Sequence, residues 1–232
     1  NALLVVSGDV DFSEVKALTE KYYADYQAKE IKRPKIKLPE QQSEKVHEVY
    51  LKTNVPYSLQ LYRIPAGNHQ DIAALNVFLD ILANNQSSRL KVNLQKKDNL
   101  ILSSGAFMNP MRETSYALVY LIPANENLIE KSQKAFDQEL NKLLEEGITE
   151  EEFQLVKNQY QKSLIFSQKD INNAAASAAL NELRFNNPNL ERERIEFINQ
   201  LSKEELIKIA EKYFQKENRT RGYILPEKEG EQ

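Results

Sequence analysis

The stretch Leu3-Leu4-Val5-Val6-Ser7-Gly8-Asp9 is the most informative segment of this 232-residue chain. Its four consecutive aliphatic residues predict a β-strand, and the Gly-Asp pair predicts the turn that closes the strand. Asp11 and Glu14 form a capping-box pattern, which predicts an amphipathic helix that ends at about Tyr26. The apolar face of this helix carries Val15, Leu18, Tyr22 and Tyr23.

Five later segments are predicted to be β-strands, the first two because apolar and polar residues alternate along them. They are Lys45–Lys52, Tyr57–Ile64, Ile101–Met108, Thr114–Ile122 and Arg221–Leu225. Residues 71–83 are apolar on nearly every side, which predicts a helix that is covered on all of its faces. Beyond residue 122 the chain is predicted to be almost wholly helical as far as Gln215.

The composition is that of a globular protein with no strong electrostatic preference for a partner. The 31 basic and 34 acidic residues leave a net charge of −3, which favours neither nucleic acid nor an anionic membrane. No apolar run approaches the roughly 20 residues that span a bilayer. The absence of cysteine excludes disulfides and thiolate metal ligands, but it leaves the cellular compartment unknown.

The joint between two long helices is specified by local sequence. Gly147 is suited to the left-handed position that ends a helix predicted for residues 128–146. Thr149 and Glu152 then form a capping box for the next helix. The run Glu150–Glu152 also suggests acid–base chemistry, but carboxylates in a first helical turn are more typical of capping and of interaction with the helix dipole.

Residues 28–43 are predicted to be an extended linker. The segment from Lys29 to Pro39 carries basic residues between two prolines and shows no helical period. A basic patch for an acidic partner is the alternative interpretation, but no aromatic side chains interleave the charges.

Several motifs resemble, in common order and spacing, segments of the pitrilysin-type (M16) zinc metallopeptidases. The opening strand, followed by Glu20-Lys21-Tyr22-Tyr23, resembles the seam between the first and second domains of that family. The other motifs are Pro65-Ala66 with Asp71–Leu75, Ser87-Ser88-Arg89-Leu90, Gly147–Phe153 with Lys157, and Leu201–Leu206 with Tyr223–Glu227. Each motif is common by itself, so the resemblance rests on their order over the whole chain.

The resemblance implies an α+β fold, a mixed and mostly antiparallel sheet with helices packed on one face, as in M16 (LuxS/MPP-like) domains. In the family the seam lies downstream of the zinc site. Residues 1–27 are then expected to be a βα unit left over from a preceding domain, 28–43 the linker, and 44–232 an M16-like non-catalytic domain. A strand without its sheet is expected to pair with an edge of its own domain or with a second copy, giving a homodimer.

The zinc motif of the family, H-x-x-E-H, is absent from this chain. That motif places two histidine ligands on one helical face beside a glutamate that acts as general base, and a later glutamate is the third ligand. This chain has only His47 and His69, which fall in different predicted elements. No catalytic and no metal-binding residue is therefore assigned, and zinc is expected in the catalytic domain of the parent protein.

The family's substrate-clamping pair is also absent. In members whose non-zinc half helps to bind substrate, an arginine and a tyrosine lie seven residues apart after the Ser-Ser-Arg-Leu turn. The corresponding positions here are Gln95 and Leu102, which lack the guanidinium group and the hydroxyl. The substrate-binding residues of this chain are accordingly unknown.

The resemblance implies a catalytically inactive domain that contributes to the chamber wall around an unfolded peptide substrate. Its expected partner is the catalytic domain of the same parent protein, a zinc-dependent metalloendopeptidase. The alternative is an inactive partner subunit, or a peptide-binding module, that supports a separate active M16 chain. Partnership with nucleic acid or with a membrane is not expected.

Overall fold

The computed structural model describes residues 2–27 and 38–227. Its strands are β1 (Lys45–Leu51), β2 (Tyr57–Ile64), β3 (Ile101–Asn109), β4 (Ser115–Pro123) and β5 (Arg219–Pro226). Its α-helices are α1 (Phe12–Tyr23), α2 (Asp71–Leu79), α3 (Ile129–Glu145), α4 (Glu150–Ser167), α5 (Ile171–Phe185), α6 (Leu190–Gln200) and α7 (Lys203–Tyr213). Two π-helical segments follow α2, the first at Asp80–Asn84 and the second at Leu90–Lys97.

The five strands form one sheet in the order β1-β5-β2-β4-β3. β1 pairs with β5 in parallel, and the other three pairs are antiparallel. The predicted mixed, mostly antiparallel sheet is therefore confirmed, and each of the five strands predicted after residue 44 begins and ends within two residues of its observed bounds. β5 is the last strand in the sequence but lies inside the sheet, between β1 and β2.

The core lies between the sheet and the helices on one of its faces. β2 alternates strictly between partly exposed and buried residues, and its buried residues include Tyr62 and Ile64. Eight of the nine residues of α2 are buried, which confirms the prediction of a helix covered on all of its faces. The Phe214 ring packs against Tyr62 and Phe78, with centroid separations of 4.8 and 4.7 Å, and so joins the end of α7 to the sheet and to α2.

The other face of the sheet is also apolar. We call it the open face; it includes Leu59, Leu61, Leu118, Tyr120, Phe107 and Thr220, which the strand register places side by side across four strands. In the part of the chain that the structure describes, these six side chains are partly or fully exposed and none belongs to the core.

β1 is exposed along its whole length. All seven of its residues are exposed, including Val46, Val49 and Tyr50 at about half of their full surface. β1 therefore projects beyond the helical layer, and among the described strands it pairs with β5 alone.

The predicted joint between α3 and α4 is confirmed. Gly147 has φ +77°, a left-handed conformation that glycine adopts without strain. Thr149 and Glu152 form the complete capping box, and the flanking Ile148 and Phe153 are buried. The chain thus reverses between the two helices at a position that local sequence determines.

The N-terminal segment differs from its prediction in two respects. α1 forms and is capped by the Asp11 carboxylate, but it ends at Tyr23 rather than near Tyr26. Residues 2–7 form no strand among the described residues, although Leu3–Val6 were predicted to be one. A strand exists only when a neighbour accepts its backbone hydrogen bonds, and no described strand lies beside this segment.

Most of the predicted linker, residues 28–37, lies outside the described residues. The part that is described is attached to the sheet by side-chain contacts. Arg63 donates a hydrogen bond to the Pro39 carbonyl, and the Gln41 amide bonds to the Arg219 carbonyl and to Thr220.

Candidate functional site

Gln95 and Leu102, the positions predicted to correspond to the family's arginine and tyrosine, meet in the structure. Gln95 lies in the second π-helical segment and Leu102 in β3. The Gln95 amide donates a hydrogen bond of 2.8 Å to the Leu102 carbonyl, while the Leu102 side chain is exposed. The pair therefore holds the start of a strand and presents neither a fixed charge nor a hydroxyl.

β3 is an edge strand whose outer backbone groups are partly occupied. Besides the Leu102 carbonyl, the Ala106 N–H is occupied, because it donates a 2.7 Å hydrogen bond to the Asn84 side chain. Side chains from both π-helical segments thus cap this edge, which limits pairing with another strand. No such side-chain hydrogen bond is found on the β1 backbone among the described residues, so β1 is the more accessible edge.

The two histidines lie in separate elements of the fold. His47 lies in β1, and His69 lies in the turn before α2. The His69 Nδ1 accepts a hydrogen bond from the Asp71 N–H at 3.1 Å, so this ring stabilises the first turn of α2. Within residues 2–27 and 38–227, no group of three or more histidine or carboxylate side chains is arranged to hold a metal ion.

Asp71 is a buried carboxylate with structural partners. It accepts a 2.8 Å hydrogen bond from the Tyr213 hydroxyl, and Lys212 and His69 lie 3.6 Å from its oxygens. Burial and the hydrogen bond to Asp71 raise the pKa of Tyr213 above its ordinary value. The cluster links the start of α2 to the end of α7, and it contains no nucleophile paired with a free base.

Arg89, from the Ser-Ser-Arg-Leu turn, links both sides of the α3–α4 joint. Its guanidinium donates to both Glu152 carboxylate oxygens at 3.0 Å and to the Gly147 carbonyl at 3.0 Å. Burial alone would raise the pKa of Glu152, but the hydrogen bonds from Arg89 and Thr149 hold it below its ordinary value of 4.5. Glu152 is thus a fixed anion of the joint and not a proton donor.

A groove of about 290 Å³ runs beside this joint. Its polar lining includes Arg89, Asn93, Glu139, Lys142, Glu146 and Glu152. Glu139 accepts a hydrogen bond from Asn93, and Glu152 is bound to Arg89. Arg89 and Glu152 are thus the one directly joined pair of opposite charges among these described lining residues, since Asn93 is neutral.

A buried polar network lies between β2, β5 and α3. Arg219 is 4% exposed and binds Glu44, Asp137 and the Tyr62 hydroxyl. Burial raises the pKa of Tyr62, so its hydroxyl remains protonated. Glu44 precedes β1, and Asp137 lies in α3, so this network fastens the inner strand β5 to the start of the domain and to the helical layer.

Sequence reasoning did not identify Arg89 or Arg219 as organising residues. Arg89 was noted only as part of a turn motif, and nothing in the sequence indicates that its partner lies 63 residues later. Arg219 lies just before the predicted strand, and its partners Glu44 and Asp137 are distant in the sequence.

Residues 1–160 match the family described as Peptidase M16 inactive domain. The chain is also 25% identical over 232 residues to the zinc protease PqqE of Helicobacter pylori (strain ATCC 700392 / 26695). That alignment covers 97% of this chain and 52% of PqqE, so the chain spans about half the length of the curated relative that it matches.

Two solved structures show the same fold. A protease from Helicobacter pylori has a TM-score of 0.85 and 23% identity, over 95% of this chain and 54% of that one. A peptidase M16 inactive domain from Pseudomonas fluorescens has a TM-score of 0.77 and 17% identity, over 97% of this chain and 54% of that one. Because the family match extends over more than half of the sequence, this chain belongs to the M16 peptidase inactive-domain family.

Proposed function

We propose that this chain is a non-catalytic part of a zinc metallopeptidase and contributes to the wall of a chamber that encloses an unfolded peptide. The match to the M16 inactive domain is the observation that carries the proposal. PqqE, which bears the name zinc protease, is about twice as long as this chain, which leaves room for a catalytic domain. Zinc would be bound by that domain, because His47 and His69 lie in separate elements here.

Two features of the domain surface support a role in the wall of a peptide-enclosing chamber. β1 presents an accessible strand edge, and extended peptides bind such edges through backbone hydrogen bonds. The position that corresponds to the family's tyrosine is an exposed leucine, Leu102, beside an uncharged Gln95. Contact with a peptide would then be apolar and unspecific at this site, because no arginine is present to bind the peptide by its charge.

The test of this function compares the chain alone with the chain and a zinc-bearing M16 half. The parent gene is read for an H-x-x-E-H segment, and the half that carries it is purified separately. Alone, the chain should retain no stoichiometric zinc after dialysis and should cleave no unfolded peptide. Together with the zinc-bearing half, cleavage should exceed that of either part.

Two results would contradict the proposal. One is a single tightly bound zinc that is lost when His47 and His69 are both replaced by alanine. The other is undiminished cleavage by the zinc-bearing half when this chain is absent. A distinct active M16 chain that co-purifies with this one would instead support the inactive partner subunit.

We further propose that residues 1–27 belong structurally to a preceding domain. α1 has no buried residue, and Leu3–Val6 are exposed and unpaired. A chain that starts at residue 28 should therefore still unfold cooperatively, whereas loss of cooperative unfolding would show that the segment is integral. If Leu3–Val6 instead pair between copies, the full chain should be dimeric and the shortened chain monomeric.

A further inference from the structure

Among the described strands, β1 and β3 form the two edges of the sheet, and they differ in charge. β1 carries Lys45 and Glu48, whereas Ile101–Asn109 of β3 contains no ionisable residue. Exposed strand edges can pair with other chains, and charged side chains are a common protection against such pairing. Strand-forming segments of low net charge are also those that aggregate most readily. The side chains of β3 therefore give this edge no charge that would keep a second strand away.

The backbone of β3 faces outward at alternate residues. The Ala106 N–H bonds to a side chain outside the sheet, so Ala106 directs its backbone groups away from β4. Because this direction alternates along an antiparallel strand, Ser104 and Met108 also face outward, whereas Phe107 faces β4. The side chains of Leu102 and Phe107 are 51% and 48% exposed, so the edge is also apolar. A second copy of β3 would therefore meet both hydrogen-bonding groups and apolar side chains here.

The Asn84 side chain occupies the centre of this edge. Its Oδ1 accepts a hydrogen bond from the Ala106 N–H at 2.7 Å, and its Nδ2 donates to the Asp80 carboxylate at 2.9 Å. An ionised carboxylate can only accept hydrogen bonds, so Asp80 fixes which end of the Asn84 amide turns toward Ala106. Asp80 is thus a positioning residue, because it acts on β3 through the side chain that it orients.

The π-helical turn at Asp80–Asn84 sets the direction of the Asn84 side chain. The Asn85 N–H donates to the Asp80 carbonyl at 3.3 Å, five residues back, so this turn holds one residue more than an α-helical turn. Each residue rotates an α-helix by about 100°, so an α-helical turn would aim Asn84 in a different direction. π-Helical turns are rare and occur frequently at functional sites. Here the wider turn brings an amide onto the edge of the sheet.

Asp80 and Asn84 stabilise each other. Burial raises the pKa of Asp80, and the hydrogen bond from Asn84 lowers it, so Asn84 favours the ionised carboxylate that orients it. Asn84 itself is exposed, so its replacement removes the contact with Ala106 without leaving a cavity in the core.

We propose that Asn84, oriented by Asp80, is a latch that keeps the β3 edge from pairing with β3 of a second copy of this chain. Gln95 closes the same edge near its start, where it binds the Leu102 carbonyl. The two edges are then protected by different means, β1 by charged residues of its own and β3 by amide side chains from the π-helical segments. This inference goes beyond the proposed function, because it requires neither peptide binding nor zinc.

Amide hydrogen exchange, measured by NMR on the full chain, tests the latch at a single hydrogen bond. In Asn84→Ala and in Asp80→Ala the Ala106 N–H should exchange on the order of tenfold faster, because its acceptor is removed or no longer oriented. Asp80→Asn should keep this exchange slow, since its side-chain oxygen can still accept from Asn84. The Phe107 N–H should not change, which separates local opening from unfolding of the variant. The matched control is Asn141→Ala, which removes an exposed asparagine of α3.

Analytical ultracentrifugation over a range of concentrations tests the pairing itself. The double variant N84A/Q95A should associate at a concentration on the order of tenfold lower than the unmodified chain, because both caps of the edge are gone. Adding Leu102→Lys should reverse this association, since a charge on the strand protects the edge, whereas Leu155→Lys on α4 should not.

Three results would overturn the proposal. One is equal exchange of the Ala106 N–H in Asn84→Ala and Asn141→Ala. Another is association of N84A/Q95A no stronger than that of Asn141→Ala. The third is association that Leu102→Lys leaves unchanged, which would assign it to a surface other than β3.

Discussion

Replacing Arg89 by alanine tests whether one side chain stabilises the joint between α3 and α4. The Arg89 side chain is 14% exposed and its partner Glu152 is 30% exposed. The change removes two hydrogen bonds to a carboxylate and one to the Gly147 carbonyl. Hydrogen bonds to charged groups contribute about 1.5–3 kcal/mol, and partly exposed Glu152 regains some solvation, so we expect a loss of about 2–3 kcal/mol.

The measurement is urea unfolding followed by circular dichroism, with Arg192→Ala as the matched control. Arg192 also pairs with a glutamate, Glu196, but the two side chains are 81% and 57% exposed. That loss should lie within about 0.5 kcal/mol. Arg89→Lys should fall between the two, because lysine keeps the charge but cannot bind both oxygens in the planar geometry of arginine.

A double-mutant cycle separates the ion pair from the contact with the carbonyl. Arg89→Ala and Glu152→Gln should show a coupling of about 1–2 kcal/mol, since the residues are in direct contact. If Arg89→Ala costs no more than Arg192→Ala, the turn does not stabilise the joint and the reasoning is refuted.

Three further outcomes are expected. Gly147→Val should lower the unfolding free energy by about 1–3 kcal/mol, because a β-branched residue is strained at positive φ; equal urea midpoints would contradict this. The difference in stability between the unmodified chain and Glu152→Gln should be largest at neutral pH. The pKa of Glu152 is lowered by folding, so its contribution is present above its ordinary value of 4.5 and is lost as the pH falls below it; thermal unfolding at pH 7 and pH 3 measures this. Gln95→Ala should cost no more than about 1 kcal/mol, because water can replace the amide at the exposed Leu102 carbonyl; a larger loss in urea unfolding would show that β3 depends on this cap.

Local patterns predicted most of the elements, since their signals lie within one segment. The alternation along β2 and the Gly147-to-Glu152 joint depend on neighbours a few residues away, and both were predicted correctly. Neither π-helical segment was predicted. For the first, Asp80–Asn84, the reason is that one wider helical turn leaves the apolar pattern of residues 71–83 almost unchanged.

The errors and omissions involve distant partners. Leu3–Val6 have the composition of a strand, but they form none without an adjacent strand. Val46 and Tyr50 are as apolar as the residues of β2, yet they are exposed, because the helical layer does not extend over β1. The Gln95 and Leu102 positions were identified by resemblance. The hydrogen bond between them could not be predicted from the sequence, because it depends on how the fold places the two residues.

The position of β5 within the sheet determines when this domain can be completed during translation. Lys45 of β1 pairs with Thr220 of β5, so β1 emerges from the ribosome long before β5, its one partner among the described strands, has been made. At about 5–20 residues per second, β1 waits roughly 10–35 s, with its apolar side chains unpaired throughout. Until its last strand has been synthesised, a nascent chain of this domain therefore exposes an unpaired strand edge, the kind of surface through which folding intermediates aggregate.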